Sequence, residues 1–279
     1  MDQTDENSEW GDSDALEFFG RHLLAICITY RLANTSKEDA LSFAAYNGTL
    51  IDIAGSVCFL TAGHVLADLK QKIADIRVEI VEVVLADTFA KGRISDKPVP
   101  FDIRSEPFLF VDDEEQGLDF GAIPLRPYYV NLLAKNGMVA LDEERWIHQH
   151  RVDFDGYAML GLPREFTSPS VDTLGHGAVS PTMIWVSRRE TPPQGTRHTT
   201  YPRFIAEIGE SLSITDIVGM SGGPIFGFRI DGEKAVRYWV VALQSAWLPR
   251  QRIIFGCPLP TLAPLLKGLM AEASSPERP

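Results

Sequence analysis

The run Gly219-Met220-Ser221-Gly222-Gly223-Pro224 sets one serine among glycines, and far upstream Thr61-Ala62-Gly63-His64-Val65 delivers a histidine from the end of an apolar stretch. Between them, Asp119-Phe120-Gly121-Ala122-Ile123 opens an apolar run on a carboxylate. A serine hydroxyl is a poor nucleophile at neutral pH. It needs an imidazole to take its proton and a carboxylate to hold that imidazole in one tautomer. The chain offers Ser221, His64 and Asp119 for these roles, in the order His, Asp, Ser.

Each run has a plainer reading. Ser-Gly-Gly-Pro is ordinary turn chemistry. A histidine after an apolar strand can be a core residue satisfied by a carbonyl, and an aspartate opening a strand can simply protect a sheet edge. The functional reading asks more of the glycines. They permit backbone angles closed to other residues, and an oxyanion hole needs two backbone N–H groups aimed at one point, for which Gly219 and Ser221 are the natural pair. Of the six histidines, only His64 sits at a tight strand-to-helix corner. His148 and His150 share a spacing that suits one strand face, but nothing completes a metal set and they read as surface residues.

With 279 residues, 45% of them hydrophobic, the chain can bury a substantial core as one large domain or two small ones. Its formal net charge of -12 argues against nonspecific nucleic-acid binding, which wants a cationic face. Cys27, Cys58 and Cys257 form neither a metal-ligand spacing nor an even disulfide framework. Cys58 reads as a small buried hydrophobe. The acidic N-terminus lacks an apolar signal core, and no apolar run is long enough to span a bilayer. The expectation is a cytoplasmic protein in a reducing compartment, with no membrane association.

Short β-branched and aromatic runs make the chain all-β. Strands are expected at Leu23–Leu32, Thr49–Ile53, Ser56–Leu60, Arg77–Leu85, Phe108–Val111, Asp119–Leu125, Tyr157–Leu162, Thr182–Val186, Phe204–Ile208, Pro224–Ile230 and Ala235–Ser245. Asn47-Gly48 and Asp231-Gly232 carry hairpin-turn signals. Helices are expected after His64, over Tyr128–Lys135 ending at Asn136-Gly137, and over Leu259–Ala271. Residues 1–14 read as a disordered acidic tail and 273–279 as a frayed end. A divide near 140 separates residues 15–140, carrying His64 and Asp119, from 141–272, carrying Ser221.

These motifs and their order resemble the trypsin-like serine peptidases of the chymotrypsin-like fold, especially their non-secreted bacterial branch. The resemblance runs loosely from Leu23 to Ser245. It implies two six-stranded β-barrels with the active site in the cleft between them, and a short C-terminal helix. It implies hydrolysis of a protein or peptide substrate through an acyl-enzyme on Ser221, with no metal or organic cofactor. One departure stands out: Met220 replaces the aspartate that zymogen-activated members carry before the nucleophile. The oxyanion loop is then held by packing, or ordered by substrate or an activating protein partner.

By the same resemblance the substrate pocket draws on Thr215, Asp216, Ser245, Ala246 and Trp247. Asp216 either attracts a basic side chain or lies outside the pocket with Thr215 at its base, and Trp247 narrows or caps the mouth. A basic preference and a small or apolar one both stay open. Among rivals, an α/β-hydrolase needs aspartate and histidine after the serine, and no histidine follows Ser221. A catalytically silent version of the fold, used for binding, keeps the same residues.

Overall fold

The structure, a computed structural model, describes residues 12–33, 41–87, 89, 93–146, 153–166, 179–209, 216–230 and 236–274. In chain order the elements are α1 (Asp12–Gly20), β1 (Leu23–Leu32), β2 (Ser42–Ile53), β3 (Ser56–Thr61), α2 (Gly63–Ala74), β4 (Val78–Ala86), β5 (Val99–Pro100), β6 (Leu109–Asp113), β7 (Leu118–Pro124) and α3 (Pro127–Lys135). They continue with β8 (Gly156–Gly161), β9 (Thr182–Arg188), β10 (Phe204–Ile208), β11 (Pro224–Ile230), β12 (Val236–Leu248), β13 (Ile253–Pro258) and α4 (Leu259–Ser274). The expected turn at Asp231-Gly232 and the pair His148 and His150 lie outside the described residues.

The strands form two antiparallel bodies. The first is a seven-stranded sheet in the order β5-β4-β1-β2-β3-β7-β6, and the second is a closed barrel in the order β10-β13-β12-β11-β8-β9. The first departs from six strands because the two-residue β5 adds itself to the edge of β4. Its two edges are bridged by a helix: α2 packs on β4, β6 and β7. The apolar side of α2, Val65, Leu66 and Leu69, joins the same core as Leu24, Ile26 and Ile28 of β1.

Alternation along the strands separates three cores. Leu24, Ile26 and Ile28 fill the first sheet's inner core, while Leu23, Ala25 and Cys27 of the same strand face a seam shared with the second barrel. Met159 points into the second barrel, and its neighbours Ala158 and Leu160 face the seam. A strand buried on both faces reads as an uninterrupted apolar run, as Leu23 to Ile28 does.

Two segments reach across the division expected near residue 140. Helix α1 begins at Asp12, inside the stretch expected to be a tail. It sets Phe19 against the rings of Phe226, Phe228 and Tyr238 in the second barrel. Helix α4 buries Leu259, Leu262, Ala263 and Leu266, the spacing of one helical face, and contacts β6 and β7 of the first body as well as β12 and β13.

The hairpin turn expected at Asn47-Gly48 is not there. Both residues lie inside β2, paired with Ala25 and Leu24 of β1. The turn falls at Ala54-Gly55, whose φ values of 52° and 83° give the two left-handed residues of a tight hairpin. Tertiary contact overrides the local signal: a Cβ at position 48 would lie 2.4 Å from the ring of Phe59, so the glycine serves close packing rather than a turn. Asn136 and Gly137 end α3 as the sequence indicates, Gly137 at φ 80°.

Candidate active site

His64 is the second residue of α2, directly after β3. The first N–H groups of a helix have no partner within it, and Ala62 at the cap position has no side chain to supply one. Asp119 supplies it from β7. Its Oδ1 accepts from the backbone N–H of His64 at 2.9 Å, and its Oδ2 lies 2.7 Å from imidazole Nδ1. With a carboxylate as acceptor, Nδ1 carries the hydrogen and Nε2 keeps its lone pair. One carboxylate thus anchors both the backbone and the ring of His64.

The electrostatics of the pair oppose one another. Burial pulls the His64 pKa down, but the hydrogen bond and charge of Asp119, helped by Asp112 and Asp68, outweigh it and hold the imidazole above its ordinary value. Asp112 is paired with Asp119 across β6 and β7. Its own pKa is raised by desolvation and by the Asp119 charge. The thiol of Cys257 accepts from the Asp119 backbone and is pushed up to about 11, chiefly by burial. All three cysteines are free and buried.

Ser221 sits on the loop that enters β11. Gly219 has φ 96° and Gly222 φ 83°, conformations that favour glycine. A Cβ on Gly222 would also lie 1.9 Å from Thr61 Oγ1. The loop's hydrogen bonds are specific. Met220 N–H donates to Ile217, Gly222 N–H to Gln244, Gly223 N–H to Met220, and Arg164 N–H to the carbonyl of Val218. Among the described residues, the N–H groups of Gly219 and Ser221 donate to no protein acceptor. Met220 is fully buried in the second barrel's core with Ile217, Ile225 and Val241, so apolar packing holds the residue before Ser221.

Ser221, Gly219 and His64 line one cavity of about 440 Å³, walled by Tyr30, Asn47 and Asp68 of the first body and Leu162 and Arg164 of the second. Among the described residues no hydrogen bond joins His64 to Ser221. A second cavity of about 310 Å³ opens on the other side of His64, against Asp112, Glu114, Asp119, Arg203, Ser245 and Ala246.

The expected pocket residues divide. Ser245 and Ala246 reach the second cavity, and the Ser245 hydroxyl donates to the Phe255 carbonyl at 3.3 Å. Asp216 is exposed, lines neither cavity, and accepts from Val218 N–H at 3.0 Å, which makes it a brace for the loop ahead of Ser221. Trp247 is half-buried against the second barrel's core, its indole N–H buried without an acceptor among the described residues. Thr215 lies outside the described residues. Among the described residues no set of His, Cys, Asp or Glu side chains comes together as metal ligands, and no helix is long and apolar enough to cross a membrane.

Sequence reasoning missed Asn47, whose side chain reaches the loop carrying Ser221, and Arg164, whose backbone N–H braces Val218. Asn47 was hidden by its own turn signal. The contribution of Asp112 to His64 was hidden by the acidic run around it.

No known family matches the sequence, and no curated protein does. Solved structures with a similar arrangement include the thermostable serine protease AL20 from an extremophilic microorganism, 12% identical with a TM-score of 0.49, covering 92% of this chain and 99% of that one. The Rv3671c protease of M. tuberculosis in its active form is 16% identical, TM-score 0.38, covering 95% and 85%. A Glu endopeptidase is 14% identical, TM-score 0.46, covering 89% and 90%.

Proposed function

We propose that the chain is a serine endopeptidase that cleaves protein or peptide substrates through an acyl-enzyme. The observation that carries this reading is the His64–Asp119 pair, held at two points and sharing a cavity with Ser221 beside two unpaired loop amides. In this mechanism Nε2 of His64 removes the Ser221 proton as the hydroxyl attacks the scissile carbonyl. Asp119 keeps the reactive tautomer and stabilises the imidazolium. The N–H groups of Gly219 and Ser221 receive the oxyanion, a contact whose loss costs roughly 3 kcal/mol in the transition state. His64 then returns its proton to the leaving amine, and water repeats the attack on the acyl-enzyme.

One observation favours a second reading, a catalytically silent fold that binds protein or awaits an activating partner: no hydrogen bond joins Ser221 to His64 among the described residues. Catalytic hydrogen bonds are often loose in unliganded sites and tighten with substrate. Incubation with a peptide library, read by mass spectrometry, separates the readings. The endopeptidase reading expects internal cleavages that vanish in Ser221→Ala. An intact library, together with no fluorophosphonate adduct on Ser221, leaves the silent fold.

A further inference from the structure

Asn47 is 1% exposed in the seam between the two bodies. Its Nδ2 donates to the carbonyl of Met220 at 3.1 Å. Its own backbone carbonyl accepts from Thr61 Oγ1 at 2.6 Å. Glycines make room for it: a Cβ at Gly161 or at Gly223 would lie 2.7 Å from Nδ2. Burying an amide this completely is costly unless it is used, and its Oδ1 has no partner among the described residues. The donor half is therefore what the site retains.

The acceptor it holds belongs to a particular peptide. Carbonyl and N–H point in opposite directions across a trans peptide. Holding the Met220 carbonyl toward β2 therefore turns the Ser221 N–H away from β2. Within the loop the same carbonyl accepts from Gly223 N–H at 2.9 Å, which closes a turn but ties it to nothing else. Among the described residues, Asn47 makes the one side-chain hydrogen bond between residues 217–223 and the first body. Its strand is bonded to the one that leads to His64: β2 pairs with β3, which ends at Thr61 just before the helix that holds His64. The Val218–Gly219 peptide, which carries the other candidate oxyanion N–H, is held by its carbonyl too, here by the backbone N–H of Arg164 at 2.7 Å.

We propose that Asn47 is a positioning residue for Ser221. It orients the Met220–Ser221 peptide so that the Ser221 N–H faces the developing oxyanion, and it couples the nucleophile loop to the β2–β3 pair that leads into His64. This rests on the endopeptidase reading. It assigns the residue a role in the transition state that substrate binding does not share.

The test uses the full chain with Asn47→Leu, which keeps the branched side-chain shape and removes the donor, and the smaller Asn47→Ser as a second variant. The expected result is a folded protein whose kcat falls roughly tenfold to a hundredfold, with KM within about twofold. Affinity for a peptide aldehyde, which forms a tetrahedral oxyanion on Ser221, falls by the same factor as kcat. Unchanged kcat in a folded variant overturns the proposal while the endopeptidase reading stands. Parallel changes in kcat and KM, or loss of fold in both variants, assign Asn47 a structural role and also overturn it. A wild-type protein whose Ser221 takes no fluorophosphonate overturns the endopeptidase reading, and the role of Asn47 falls with it.

Discussion

His22 and His64 both belong to the first body, and their surroundings make them opposites. His22 is buried, with Nδ1 2.7 Å from the Val139 carbonyl and Nε2 in contact with Tyr238 Oη and Arg21 Nε. Both nitrogens are spent, and no carboxylate contributes to its titration. Burial, with the charges of Arg21 and Arg145, lowers its pKa to about 4. His64 has a carboxylate on one nitrogen, a cavity beside the ring, and a raised pKa. Burial does not make a histidine a base. A carboxylate behind one nitrogen and open space before the other do.

The sharpest way to break this contrast is to exchange the losses. His64→Ala should lower kcat by roughly 10^6-fold, as expected for residues that act as a unit, with little change in thermal stability. His22→Leu should leave kcat within about twofold. Asp119→Asn comes next: an amide cannot enforce the tautomer, and kcat should fall by roughly 10^4-fold, measured by steady-state kinetics on a cleaved peptide.

The pH dependence sharpens the comparison further. For His22 the folded-state value lies below the unfolded one, so the unfolded chain binds the extra proton between about pH 6.5 and 4. Stability should fall by roughly 3 kcal/mol as pH drops through that window, and His22→Leu should remove that acid slope in denaturant titrations. For His64 the folded value lies above the unfolded one. Its contribution to stability is present below about pH 6.5 and disappears as pH rises through the raised pKa. Activity needs the neutral imidazole, so it should appear on that same rise. The smallest expected effect is the direct cost of His22→Leu at neutral pH, about 1–3 kcal/mol from leaving the Val139 carbonyl unpaired, since Tyr238 Oη keeps its bond from Arg21.

The contrast also marks what the sequence discloses. His64 was distinguishable because its neighbours differ: an apolar strand, then small residues, then a helical face. Ser221 was legible from its glycines and Asp119 from the apolar run it opens. The strand expected at Arg77–Leu85 could be located from its apolar content, although its alternation breaks at Val81-Glu82, where the pairing with β1 shifts register. What failed was local signal overruled by distant partners. Asn47-Gly48 looks like a turn until Phe59 and Met220 are brought against it. The acidic start reads as a tail through residue 14, yet α1 already begins at Asp12. For Asp216 the sequence leaves two placements open, in the pocket or outside it, and its carboxylate accepts from a backbone N–H two residues on. In each case the deciding contact is one that pattern cannot see, or is too short-ranged to leave a period.

The account turns on proton removal from Ser221 by a histidine whose ionisation Asp119 sets. The rate of fluorophosphonate modification of Ser221, followed by intact mass from pH 5 to 9, reads this directly. The predicted profile climbs through a single ionisation above the ordinary imidazole value, moves to lower pH in Asp119→Asn, and vanishes in His64→Ala. A rate that is flat with pH, or unchanged when His64 is removed, contradicts it.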